Sequence, residues 1–284
     1  MSKNNYFKGW YFKCCANDKA IAFIPAYHLS NYRKTASLQI ITDNAVFNIP
    51  FSSLEYSEKP LHVNIGNCVF SENGIKLDIQ NDKLTISGEL QFRCISPIRY
   101  DIMGPFCFVP FIQCRHSVYS MRHLVDGQIT FNGQQFHFQN GMGYIEGDSG
   151  SSFPDRYIWT QCCFDNGSLM LSVADIPILG FRFTGVICVV LLDGKEYRIA
   201  TYLGAIISLI QNNTVTVRQG NYEITAKLIN KNAQPLYAPI NGTMNRIIHE
   251  SASCTAYYKF SHNGNPLFEF ISDRASFEFE YTEI

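Results

Sequence analysis

"KLTISGELQF", Lys83 to Phe92, alternates apolar and polar side chains. Leu84, Ile86, Leu90 and Phe92 fall on one face, and Lys83, Thr85, Ser87, Glu89 and Gln91 on the other. A period of two is that of a half-buried β-strand. "ASFEFEY" repeats it, with Phe277, Phe279 and Tyr281 set against Ser276, Glu278 and Glu280. Turn signals separate such runs: Asn81-Asp82, Asn132-Gly133, Asp165-Asn166-Gly167, Asp193-Gly194, Gln219-Gly220-Asn221 and Asn263-Gly264. "QITFNGQQFHF" reads as a hairpin on its Asn-Gly alone. Long segments of helical period are missing. "LGAIISLIQ", Leu203 to Gln211, is the one short stretch to entertain as helix, and it reads equally well as strand.

Hairpins spaced about ten residues apart indicate an all-β, antiparallel sandwich or barrel. With 284 residues, the chain has the length for two packed halves with a cleft between them. The glycine-rich Gly141 to Gly150 is the natural boundary, giving halves at 1–142 and 143–284.

The composition is globular: 46% hydrophobic, 17% charged and 14% aromatic. Low charge and many aromatics point to much buried apolar surface, a lined cavity included. A net charge of -1, with no long basic run, gives no reason to expect nucleic acid as a partner. Nor is there a polybasic membrane patch, although peripheral membrane contact stays open. The ten cysteines include the adjacent pairs Cys14-Cys15 and Cys162-Cys163, but no CxxC and no Cys/His cluster of zinc spacing. No metal is therefore expected; Cys114 with His116 is the nearest thing to a metal pair. The opening "MSKNNYFKGWYFKCC" has no apolar secretory core, so the chain reads as cytoplasmic with reduced, mostly buried thiols. "GVICVVLL", Gly185 to Leu192, is too short to span a membrane.

One stretch carries chemistry. "GYIEGDSGSSFPDRYIW", Gly143 to Trp159, puts Tyr144, Glu146 and Asp148 at alternate positions among small residues. In an extended chain these three share a face, and the carboxylates stand about 6–7 Å apart. Two carboxylates this close in an apolar cleft do not both ionise easily. The expected result is a general acid, Glu146, beside a base or hydrogen-bond anchor, Asp148. The alternative is a turn in which Asp148 and Ser149 only cap the chain. A calcium loop would need more oxygen ligands than are present.

This stretch resembles the signature of the tocopherol cyclase family, GYIEKDWGxSFPxxYIWxQ. Gly143, Tyr144, Ile145, Glu146, Asp148, Gly150, Ser152, Phe153, Pro154, Tyr157, Ile158, Trp159 and Gln161 match it. "FKGWYFK" with "AFIPAYHL" resembles the family's opening, and "IMGPFCFVPFIQCRHSVYSMRH" its central block. "ADIPILGFRFTGVICVVLLDGKEYRIATYLGA" and "LYAPINGTMNRIIHES" resemble later blocks. The resemblance implies a lipocalin-like, two-part β-fold related to carotenoid hydratases and to lipocalin-like cyclases. It also implies chemistry without a cofactor: an acid protonates a prenyl double bond, and a ring hydroxyl attacks the resulting cation. Such chemistry needs an un-ionised acid in a dry pocket, aromatic faces and a base.

On this resemblance Glu146 is the acid, falling where the related hydratases carry theirs, and Asp148 holds or recharges it. Tyr144, Trp159 and Phe153 face a prenylated or polyene substrate. His116 and His123 are candidates for contacting ring hydroxyls, the alternative being core or surface imidazoles. Trp10 lies in an aromatic run that suits the core as well as the substrate. Arg246 is either a substrate contact or the ion-pair partner of Glu250, four residues on. Gly147 and Ser149 stand where the family carries Lys and Trp. These departures imply a lost charge beside the carboxylates and extra volume facing the ligand, and they leave open whether catalysis is redirected or lost. The opening shows no plastid-type extension, which favours a bacterial-type cytoplasmic homologue. Three functions follow: a cofactor-free cyclase or isomerase, a lipocalin-like carrier of a hydrophobic ligand, and a hydratase or carboxylate-pair hydrolase.

Overall fold

A computed structural model of the chain describes residues 5–16, 19–81, 84–110, 112–178, 181–230, 234–240, 242–250 and 252–281. Among them the chain forms β-strands joined by tight turns, with two short 3-10 turns at Gly104–Phe108 and Thr201–Leu203. The first sheet holds β1 (Asn5–Ala16), β2 (Lys19–Ser30), β3 (Arg33–Thr42), β4 (Val46–Phe51), β5 (Glu55–Glu58), β6 (Leu61–Ile65), β7 (Cys68–Ser71), β8 (Gly74–Asn81), β9 (Leu84–Arg93), β10 (Cys114–Phe131) and β11 (Gln134–Gly150). The second holds β12 (Tyr157–Phe164), β13 (Gly167–Ile178), β14 (Phe181–Leu192), β15 (Lys195–Ala200), β16 (Ile206–Gln211), β17 (Thr214–Gln219), β18 (Tyr222–Asn230), β21 (Cys254–His262) and β22 (Asn265–Glu280). Between β18 and β21, a separate hairpin pairs β19 (Gln234–Ile240) with β20 (Thr243–Glu250).

The fold is the expected antiparallel, lipocalin-like architecture. The first sheet runs β4-β3-β2-β1-β11-β10-β9-β8-β7-β6-β5, so the strands at its two edges are consecutive in the chain. It curls around a core that includes Trp10, Phe12, Phe23, Leu38, Phe70, Ile86 and Ile145. The second sheet, β15-β14-β13-β12-β22-β21-β18-β17-β16, encloses its own core of Ile158, Leu171, Val190, Ile224, Tyr258 and Phe277. The proposed Lys83–Phe92 strand is β9, with Leu84, Ile86, Leu90 and Phe92 all buried; Lys83 and the turn residue Asp82 lie outside the described residues. The turns at 132–133, 193–194 and 263–264 each close a hairpin on an Asn or Asp followed by Gly, both at positive φ. The stretch at 203–211 is not helical. Its first residues make the 3-10 turn, and Ile206–Gln211 pairs with β17.

The chain leaves the first sheet at Gly150 and enters the second at Tyr157. The 142/143 boundary therefore falls inside β11, which pairs throughout with first-sheet strands, and the crossing is at 151–156. The halves meet across a third apolar cluster containing Tyr11, Ile41, Met121, Tyr144, Tyr157, Trp159, Met170 and Leu236. The site is built in this seam. Alternate residues of β1, β10, β11 and β12 point into it, while their neighbours point into the two sheet cores. No helix among the described residues is long and apolar enough to cross a membrane.

Candidate active site

A cavity of about 1330 Å³, including its open mouth, lies in the seam. Apolar and aromatic side chains dominate its wall, among them Phe7, Tyr11, Met103, Phe106, Phe153, Tyr157, Trp159, Phe183 and Ile187. Polar groups converge at one end. β11 supplies Glu146 and Asp148, and β10 runs antiparallel to it with His116 directly opposite Asp148. Irregularities in the β10–β11 pairing at Val118–Ser120, Ser120–His123 and Val125–Gly127 set this register. Continued unbroken from the Asn132-Gly133 turn, the hairpin would place His116 opposite Ser149, on the other face.

His116 bridges the two carboxylates. Its Nδ1 lies 2.9 Å from Asp148 Oδ1, and its Nε2 lies 3.1 Å from Glu146 Oε2 but too poorly aligned for a hydrogen bond. Glu146 is 4% exposed, and its Oε2 accepts from Tyr144 Oη at 2.6 Å and from Trp159 Nε1 at 3.2 Å. The Cys114 thiol donates to Asp148 Oδ1 at 3.7 Å. Burial by itself would lower the His116 imidazole, but the Glu146 and Asp148 carboxylates outweigh it and hold the ring well above its ordinary value. The two carboxylates thus favour the imidazolium form of His116. Burial and the Glu146 carboxylate push the Tyr144 phenol well up, so Tyr144 acts here as a neutral donor.

A third carboxylate shares the cavity. Glu278 of β22 lies directly across the strand pair from Trp159 and accepts a hydrogen bond from the Tyr157 hydroxyl. Burial and Glu278 keep that phenol neutral. The sequence pattern set Glu278 on the polar face of its strand. The structure covers both faces, with Phe277 in the second core and Glu278 in the seam. His28 and Gln39 also line the cavity without having been singled out. His28 is pushed down to about 4 by burial. Gln39 forms both amide hydrogen bonds with the Tyr237 backbone, tying β19 to β3. A polar residue inside a strongly apolar strand was the available signal for His28 and Gln39.

The remaining candidates divide. Glu146, Asp148, His116, Trp159, Phe153 and Trp10 line the cavity. Phe153 packs edge-on to Phe7 at 5.4 Å, and Trp10 is also part of the first core. Tyr144 is fully buried and reaches Glu146 with its hydroxyl instead of lining this cavity. His123 is not a cavity residue. It packs on Phe92, meets Ser120 Oγ at 3.1 Å and is pushed down to about 3 by burial. Gly143 makes room for it, because a Cβ there would come within 2.1 Å of the His123 ring. Arg246 is not a lining residue either. It donates to the carbonyls of Pro154 and Asp155 and braces the crossing at 151–156; the Glu250 side chain lies outside the described residues. Ser149 lies beside Tyr6 and does not line the cavity, because position 149 alternates away from Glu146 and Asp148. A Cβ on Gly147 would meet Gly9 O, Trp10 and Tyr119 at 3.0–3.2 Å, so a Lys there would displace core aromatics. Gly147 itself lines the cavity, so its small size bears on the space beside the carboxylates, whereas the departure at Ser149 acts on the packing behind them.

The ligating atoms of His116, Glu146 and Asp148 lie within 4.8 Å of one another, so this set has the compactness of a divalent-cation site. The same closeness serves proton transfer.

The tocopherol cyclase-like family model matches residues 104–277, more than half of the chain. The chain belongs to the tocopherol cyclase-like family. Solved structures extend the likeness to the whole fold. CghA with Sch210972 superposes with a TM-score of 0.66 at 10% identity, covering 98% of this chain and 89% of that one. Kievitone hydratase from Nectria haematococca gives 0.56 at 9% identity, with coverage of 98% and 89%. A protein described as AttH from Nitrosomonas europaea gives 0.54 at 10%, with coverage of 99% and 95%. At these identities the likeness is one of fold. No curated protein matches the chain by sequence.

Proposed function

We propose that the protein is a cofactor-independent cyclase that isomerises a prenylated or polyene hydrophobic substrate by proton transfer. The observation that carries this reading is the buried Asp148–His116–Glu146 array at the polar end of an aromatic-walled cavity. His116 stores the proton and Asp148 holds the ring by Nδ1. When an apolar substrate displaces water, the charged His116–Glu146 pair becomes costly and the proton moves to the carboxylate. Glu146 then delivers it to the alkene. The C=C π pair forms the new C–H bond and leaves a tertiary cation beside the Trp159, Tyr11 and Tyr157 rings. A substrate hydroxyl attacks the cation, a C–O bond forms, and Glu278 accepts the hydroxyl proton. Proton return through solvent restores the resting state, and the product is an isomer of the substrate.

Trp159 stands between the two carboxylates, donating to Glu146 and lying opposite Glu278. One group can therefore give a proton while another takes one. A hydratase reading uses the same groups, with water replacing the hydroxyl, and agrees with the activity named for one fold relative. A carrier would need no such array, and a glycoside hydrolase would need a more polar cavity.

The test is incubation with a prenylated hydroquinone, followed by chromatography and mass analysis. Cyclisation gives a new species of unchanged mass, hydration gives one heavier by a water, and a carrier returns the substrate. Exhaustive chelation is expected to leave turnover unchanged. Loss of activity restored by one metal would replace the proton array with a metal centre.

A further inference from the structure

Behind the reaction cavity, along the same faces of β1, β11 and β12, lies a second chamber of about 720 Å³ including its mouth. Tyr144 lines it, while the Tyr144 hydroxyl reaches Glu146 of the first cavity. Its character is opposite. Lys13 and Arg274 both line it, and among the described residues its lining includes no Asp or Glu; Asp273, exposed beside Arg274, lies 3.9 Å from its Nε. Lys13 is 2% exposed, its ammonium donates to the Arg274 carbonyl at 2.8 Å, and no carboxylate among the described residues pairs with it. Gln161 is fully buried, with Nε2 on Cys163 Sγ and Oε1 unpartnered. Burial raises the Cys15 thiol and pushes Cys163 up to about 12, so neither supplies a negative charge.

A buried ammonium without a counter-charge is costly, and so is a buried amide oxygen without a donor. We propose that this chamber binds a small oxyanion that also carries a hydroxyl, of the hydrogen-phosphate class. Its oxygens accept from Lys13 and Arg274, and its hydroxyl donates to Gln161 Oε1. A simple carboxylate would satisfy the cations and leave Gln161 unpaired. The site stands apart from the reaction cavity and does not depend on the reaction proposed there.

Inorganic phosphate is the probe, titrated by calorimetry and by ³¹P line broadening against sodium chloride of equal ionic strength, with sodium acetate as a parallel arm. Saturable phosphate binding is expected, at least tenfold tighter than acetate and at least tenfold weaker in Lys13→Met. Arg274→Gln keeps the backbone carbonyl that holds Lys13, and it should also weaken phosphate at least tenfold. If Lys13→Met does not fold, Arg274→Gln decides. No saturable phosphate binding by the unmodified protein, acetate binding as tight as phosphate, or an unchanged Kd in the folded variants would overturn the assignment.

Discussion

Replacing Glu146 with Gln preserves the side chain's length and an acceptor oxygen but removes the charge and the deliverable proton. Two donors converge on Glu146 Oε2, Tyr144 Oη at 2.6 Å and Trp159 Nε1 at 3.2 Å. Each would pass from a charged to a neutral acceptor, a loss of about 1 kcal/mol per bond and about 2 kcal/mol for the two. At about 2.1 cal/mol/K of unfolding entropy per residue, a chain of 284 residues would show a Tm lower by about 3–4 °C. The kinetic effect should be larger in proportion. Loss of a general acid lowers turnover about 100-fold or more, about 2.7 kcal/mol in the barrier. Affinity for the apolar substrate should hold, because the aromatic wall is untouched. Calorimetric unfolding, equilibrium binding and kcat are measured on one preparation. An unaltered Tm would show that the two hydrogen bonds do not depend on the Glu146 charge. Unaltered turnover in a folded variant would show that the acid lies elsewhere.

The raised His116 value makes activity proton-dependent: it should persist at neutral pH and fall as pH rises through that value, and Asp148→Asn should move the basic limb to lower pH, as read from a kcat–pH profile. A limb that does not move would remove His116 from the relay. His28 and His123 are held at about 4 and about 3 by burial, below the unfolded value of about 6.5. Their contribution is present above pH 6.5 and lost as pH falls towards those values, about 3 kcal/mol for His28 alone, so denaturant midpoints should drop across this window. His123→Gln should flatten that slope and leave kcat within a few-fold. Ser149→Trp should leave the order of preference among substrates of different chain length unchanged, since position 149 faces away from the cavity; a reordered profile in competition assays would contradict the strand geometry.

Local pattern carried the strands. Alternation in Leu84–Phe92 and Asn-Gly or Asp-Gly turns arise from neighbouring residues, and both can be read without the fold. The pairing of β1 with β11 cannot, because it joins segments more than a hundred residues apart. The Glu146–Asp148 pair was visible because i and i+2 share a strand face. The distance from His116 to Asp148 was not: the bulges of the β10–β11 hairpin shift its register by a net one residue, and one residue decides the face. The same alternation, counted from Glu146, turns Ser149 away from the ligand; the family resemblance alone pointed the other way. His123 looked like His116 in sequence, and only packing against Phe92 and Gly143 separates a core imidazole from one that lines the cavity. Glu278 was hidden because a polar residue on an alternating strand normally faces water, whereas here the other half of the molecule covers it.

Isotope incorporation tests the central claim most directly. The prenylated hydroquinone is turned over in D₂O containing ¹⁸O-labelled water, and the product is examined by mass spectrometry and NMR. Cyclisation by proton transfer predicts one carbon-bound deuterium per product molecule, at the former alkene, and no ¹⁸O. A product carrying ¹⁸O, or one with no carbon-bound deuterium, would contradict it.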